Sequence, residues 1–154
     1  MNLAQSSGLH LPFHDAYFDL VLNRHDELDP ANVARILSPG GSFLTQQVGH
    51  DNWQELRAFF PRQTDFGPKF DRYREGFLAA GLTIERAENH DTPVACRSLG
   101  DLVYLPTATP WTVPGFDLEG DLDTLLALEQ ALYKNNHIVP TNSRYVIEAH
   151  KPPG

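Results

Sequence analysis

The stretch Leu11 to Gly49, LPFHDAYFDLVLNRHDELDPANVARILSPGGSFLTQQVG, decides the fold. Its first apolar run, Tyr17 to Leu22, is continuous rather than alternating, which predicts a parallel strand covered on both faces. Asp29-Pro30 predicts a helix start, with aspartate as N-cap and proline at the first helical position, where its missing N–H costs nothing. Val33, Ile36 and Leu37 share one face of that helix, and Pro39-Gly40-Gly41 is expected to stop it. Ser42 to Val48 is expected to be a second strand. Two parallel strands need a crossover of this kind, and its hand should be right.

Outward from that unit, Asp51 is expected to cap a helix carrying Trp53, Leu56, Phe59 and Phe60, ended by Pro61. Lys69 to Ala80 places Phe70, Tyr73, Phe77 and Ala80 at helical spacing, with Gly81 as its terminating glycine. Leu82 to Ala87 reads as a strand, and Thr92 to Cys96 as a further strand or half of a small hairpin. Ser98-Leu99-Gly100-Asp101 has the form of a capping box before Leu102 to Leu105, so a short helix is expected there. Asp121 is expected to cap a longer helix running to about Asn135-Asn136. The run RYVIEA, Arg144 to Ala149, is strongly β-prone. The fold class is therefore α/β, in one domain spanning 11–154 after a loose segment 1–10.

The chain has 154 residues, enough for one core, and a formal charge of −8 with no basic run. So acidic a surface disfavours nucleic acid as a partner. No apolar tract is long enough to span a bilayer and no signal-peptide pattern is present. The single cysteine, Cys96, excludes an internal disulfide and a cysteine-built zinc site, and suits a cytoplasmic location.

The order LPF-x-D-x-x-FDLV, a short helix ending ARILSPGG, then a strand GSFLTQ resembles the fourth strand, following helix and fifth strand of class I S-adenosylmethionine-dependent methyltransferases. The resemblance implies the C-terminal half of a Rossmann-like sheet. It would have about four main strands, the last one antiparallel and lying between the family's strands five and six, with flanking helices. It implies a truncated domain, because the glycine-rich turn that this family places after its first strand has no counterpart here. It also implies S-adenosylmethionine as cofactor, beside Leu11, Pro12 and Phe13, and methyl transfer to a small-molecule acceptor. The acidic residue that the family usually carries before LPF is Ser7 here. The strand Tyr17–Leu22 would then lack a neighbour on one side, which predicts a homodimer pairing two copies of it across a twofold axis. A non-catalytic domain used for self-association or partner binding is the alternative.

Asn23, Arg24 and His25 end the first strand, where ligands of open α/β sheets bind. They are the candidate catalytic residues. His25 could take a proton from an acceptor nucleophile, and Arg24 could hold an anionic group. The same loop also fits a solvated turn with a local ion pair. Gln46 and Gln47 close the second strand, and alternation sends one of them toward the same strand end. With Trp111 and Phe116, in the proline-stiffened run Pro110 to Phe116, they form the candidate acceptor pocket. Both aromatics equally suit packing. His10 and His14 are four apart, but Pro12 between them opposes a helix, so no metal site is expected.

Overall fold

The computed structural model describes residues 8–154. In chain order its elements are β1 (Phe18–Arg24), α1 (Pro30–Ile36), β2 (Leu37–Val48), α2 (Leu56–Phe59), α3 (Lys69–Ala79), β3 (Thr83–Pro93), α4 (Leu99–Ala108), α5 (Leu122–Leu132), β4 (Tyr133–Lys134), β5 (His137–Ile138) and β6 (Thr141–His150). They gather into two units. The first takes the chain through Gly49, Pro68–His90 and Arg144–Gly154; the second takes His50–Gly67 and Asp91–Ser143. Of the expected loose segment 1–10, residues 1–7 lie outside the described residues, and 8–10 form a turn.

The first unit is built on a sheet of order β1-β2-β6-β3. β1 pairs parallel with β2, from Leu20 opposite Ser42 to Arg24 opposite Gln46. β6 pairs antiparallel with β2, from Ser42 opposite His150 to Val48 opposite Arg144. The last strand thus lies between the second and third, as the resemblance implied. Val33 and Ala34 of α1, Tyr73 and Phe77 of α3, and Phe43, Tyr145, Ile147 and Ala149 of the sheet form one buried cluster. Phe43 and Phe77 meet ring to ring at 5.0 Å, and Phe70 meets Tyr145 at 5.4 Å. Burial, and secondarily the charge of Tyr73, push the Tyr145 hydroxyl far above its ordinary pKa.

Asp29 caps α1 as expected. Its carboxylate accepts from the Asn32 N–H at 3.1 Å, and Pro30 opens the helix. The stop is different. The helix ends at Ile36, and Leu37 already has extended backbone, so Pro39-Gly40-Gly41 belongs to the irregular start of β2 and not to a helix terminus. What satisfies the end of α1 is Lys151, whose ammonium donates to the Ala34 and Leu37 carbonyls at 2.8 and 2.7 Å. Backbone bonds from Gly40 N–H to the Lys151 carbonyl and from Lys151 N–H to the Gly41 carbonyl fix that lysine in place.

Coverage of β1 also differs from expectation. Val21 packs on the core, but Leu20 and Leu22 are 56% and 67% exposed. The reason is geometric: β1 is an edge strand, and the residues of α1 and α3 that bury the sheet all meet the face carrying Val21 and Phe43. A continuous apolar run cannot say which of its faces a helix will cover.

The second unit has its own core of Leu56, Phe60, Leu102, Val113, Leu125, Leu128 and Ile138, with Cys96. Burial, helped by the nearby Asp101 charge, raises the Cys96 thiol above its ordinary pKa. Three local expectations change here. Trp53 has φ +53°, so the chain turns there, and the helix begins only at Leu56 with Glu55 at its cap. Glu55 instead takes its bonds from Thr141, with the backbone N–H at 3.1 Å. In α4 the Ser98 hydroxyl makes no capping bond, the Asp101 carboxylate accepts from the Arg97 N–H at 2.8 Å, and the helix runs on through Pro106. Asn135 and Asn136 both have positive φ and form the two-residue turn of the hairpin β4–β5, pairing Tyr133 with Ile138 and Lys134 with His137. No helix among the described residues is long and apolar enough to cross a membrane.

Candidate functional site

Parallel pairing brings the carboxyl ends of β1 and β2 together, and the side chains there divide by alternation. On the buried face, Asn23 is a structural joint. Its amide oxygen accepts from the Thr45 hydroxyl at 2.9 Å and from the Gln47 amide. The Gln47 amide also reaches the Thr45 oxygen and the Asp26 carbonyl, each at 2.9 Å. Thr45 and Gln47 are buried, so this network locks the turn after β1 onto β2. Asn23 and Gln47 are thereby engaged within the fold.

Arg24 and Gln46 lie on the other face, the arginine Nε donating to the Gln46 amide oxygen at 3.1 Å. His25 follows with φ +58°, its N–H bonded to the Gln46 carbonyl at 3.0 Å. Burial, then the charges of Arg144 and Arg24, hold its imidazole below the ordinary histidine pKa. That shift favours the neutral imidazole, which has a ring nitrogen able to accept a proton. Glu27 is paired across the unit with Lys69 at 2.8 Å, and that hydrogen bond draws its carboxyl below the usual range.

Leu11, Pro12 and Phe13 are held by a residue the sequence pattern gave no reason to single out. The Arg35 guanidinium donates to the Leu11 carbonyl at 2.8 Å, the Phe13 carbonyl at 2.6 Å and the Asp15 carboxylate at 2.8 Å. Phe13 also packs edge-on against Phe18 at 4.9 Å. The planar fork of Arg35 thus spreads its donors over three oxygens of one loop.

Trp111 and Phe116 belong to the second unit. Phe116 lies partly buried on that unit's core, 6.3 Å from Phe60, which is the packing role. The Trp111 side chain is exposed, while its carbonyl accepts from the Thr64 hydroxyl at 2.6 Å. A cleft of about 440 Å³ opens in the first unit between Leu9, His10, Asp29, Asn32, Arg72 and Tyr73. None of the residues expected from the sequence lines it. Glu85, Glu148 and His150 bring metal-type ligand atoms within 4.8 Å of one another; His150 Nε2 lies against Glu85, and its Nδ1 is 2.9 Å from the Ser42 hydroxyl.

The sequence matches no known family profile and no curated protein. Solved structures do match. A protein from Bacillus halodurans described as a candidate methyltransferase superposes with a TM-score of 0.64 at 14% identity, covering 96% of this chain and 70% of its own. A candidate sarcosine dimethylglycine methyltransferase from Galdieria sulphuraria gives 0.51 at 16%, covering 96% and 58%. The cyclase SpnF gives 0.52 at 19%, covering 98% and 56%. This chain spans little more than half the length of the last two. One scaffold thus carries differently named activities, and identities this low speak for architecture and not for reaction. The chain has a methyltransferase-like fold: a mixed α/β sheet of four strands with flanking helices.

Proposed function

We propose that this chain supplies the acceptor side of an S-adenosylmethionine-dependent methyl-transfer site acting on a small molecule. The observation that carries the proposal is the placement of His25, bonded through its N–H to Gln46 at the carboxyl end of the parallel β1–β2 pair, with Arg24 beside it. When bound, the cofactor supplies an electrophilic methyl group. His25 would take the proton of the acceptor's nucleophilic atom, and Arg24 would hold an anionic group on the acceptor, with Gln46 orienting its guanidinium.

Leu11 and Phe13 do not by themselves fit a cofactor, because their carbonyls face Arg35 and the Phe13 ring faces Phe18. Calorimetric titration with S-adenosylmethionine tests the reading. Binding in the micromolar range supports it, and no heat at millimolar ligand overturns it for this chain.

A second reading, a non-catalytic domain that self-associates, draws on a different observation. β1 ends the sheet, and Tyr17, Leu20 and Leu22 are exposed along it. An open apolar edge is a template for a second chain, so two copies of Tyr17–Leu22 would pair in a homodimer. Leu20→Pro should abolish such a dimer in sedimentation velocity, because proline removes a backbone donor from the edge.

A further inference from the structure

The sheet of the first unit has two unlike faces. One carries Phe43, Tyr145, Ile147 and Ala149 into the core. The other carries Leu20 and Leu22 on β1 and Leu44 and Val48 on β2, and all four remain exposed. Leu22 lies in register beside Leu44, so Leu20, Leu22 and Leu44 form one stripe across two adjacent strands, with Val48 beyond Gln46. Scattered exposed leucines are ordinary; a contiguous set on one sheet face marks a contact surface.

Charge is divided along the same face. Arg24 and Arg144 lie toward one end, Arg144 being the register partner of Val48. Glu148, the register partner of Leu44, and His150, the partner of Ser42, lie toward the other end. There Glu85 of β3 comes against His150.

We propose that this face receives the same face of a second copy of the chain, about a twofold axis lying between the two sheets and running across the strands. That axis reverses strand direction in the second copy. It lays the arginine end of each copy over the carboxylate end of the other, with the leucines meeting between. A second copy is the fitting occupant because the face carries both signs of charge separated along one direction, and so complements itself. A partner of uniform charge would leave one end opposed by like charge. The contact goes beyond edge pairing of β1, since it uses side chains of β2 and β6 that edge pairing leaves bare.

Sedimentation equilibrium of the full chain at tens of micromolar is expected to show a dimer. Leu44→Asp, on an inner strand, is expected to weaken it at least about tenfold by burying an unpaired carboxylate, with the far-UV spectrum unchanged. Should that variant unfold, two charge reversals decide the matter. Arg24→Glu with Arg144→Glu, and Glu85→Lys with Glu148→Lys, should each be monomeric alone and should dimerise when mixed. A monomeric parent chain, reversed variants that ignore one another, or a dimer lost only on Leu20→Pro would overturn the proposal.

Discussion

Gly40 and Gly41 stand side by side at the start of β2, and the structure predicts that they resist substitution for different reasons. A Cβ on Gly41 would lie 2.8 Å from the Ser38 carbonyl oxygen, 3.1 Å from that of Phe18 and 3.3 Å from that of Asp19. Carbon–oxygen contacts ordinarily settle at about 3.3–3.6 Å, so the nearest carbonyl must retreat by roughly half an ångström. These oxygens belong to backbone at the β1–β2 junction and cannot swing aside as a side chain would. Overpacking of this kind costs about 1–3 kcal/mol. At about 2–4 °C per kcal/mol for a chain of this size, a mid-range cost lowers Tm by about 4–8 °C. Gly40 meets nothing within 4 Å but has φ +78°, where an alanine costs about 1–2 kcal/mol through its own backbone. Asparagine separates the two causes. It tolerates left-handed backbone, so Gly40→Asn should recover part of the loss of Gly40→Ala, whereas Gly41→Asn should be worse than Gly41→Ala. Urea unfolding followed by far-UV circular dichroism would measure all four. A Gly41→Ala variant as stable as the parent, or asparagine helping equally at both positions, would refute the reasoning.

Lys151→Met should destabilise the chain by about 1.5–3 kcal/mol in the same assay, because it leaves the Ala34 and Leu37 carbonyls without their charged donor. Asn23→Ala should cost about 1–3 kcal/mol by stripping the acceptor from Thr45 and Gln47, and Asn23→Asp, which keeps an oxygen there, should recover most of it. His25 gives stability a pH dependence of known sign. Its folded pKa lies below the unfolded value, so the unfolded chain binds the proton more tightly. Its contribution is complete above about pH 6.5 and declines as pH falls from there toward the folded pKa. His25→Gln should flatten that part of the stability profile, and an unchanged slope would remove the argument for a neutral imidazole.

Elements governed by local chemistry were legible in the sequence. Asp29-Pro30 announced a helix because cap and first-turn proline act within one turn. Gly81 marked the end of α3 for a similar reason, and its φ of +82° confirms it. RYVIEA was visible as a strand because β-branched and aromatic residues crowd it. Elements decided across distance were not legible. Nothing near Ile36 says that the terminus of α1 is held by Lys151, more than a hundred residues later in the chain. Asn23 and Gln47 looked like site residues because polar side chains at strand ends often are, yet Thr45 between the strands ties both into the fold. Asn135-Asn136 reads as the end of a helix, and the pairing of Tyr133 with Ile138, which makes it a tight turn, is not visible locally. At the candidate site, the position of His25 was legible because it closely follows the apolar run of the first strand. Its depressed pKa was not, because its burial is set by the fold and Arg144 approaches from the far end of the chain.

The strand order has a consequence for how this protein is made. β6 is the last element of the chain, yet it sits between β2 and β3. Until β6 leaves the ribosome, β2 has only β1 beside it among the described strands, and β3 has no partner in its own sheet. Contacts of such long sequence separation form late and slow folding. From the synthesis of β2 until that of β6 the nascent chain therefore carries a divided sheet with unpaired edges, and the insertion of β6 closes it. Loss of even the last dozen residues would leave two fragments of sheet with nothing to join them, although every residue of the candidate site up to Phe116 would still be present.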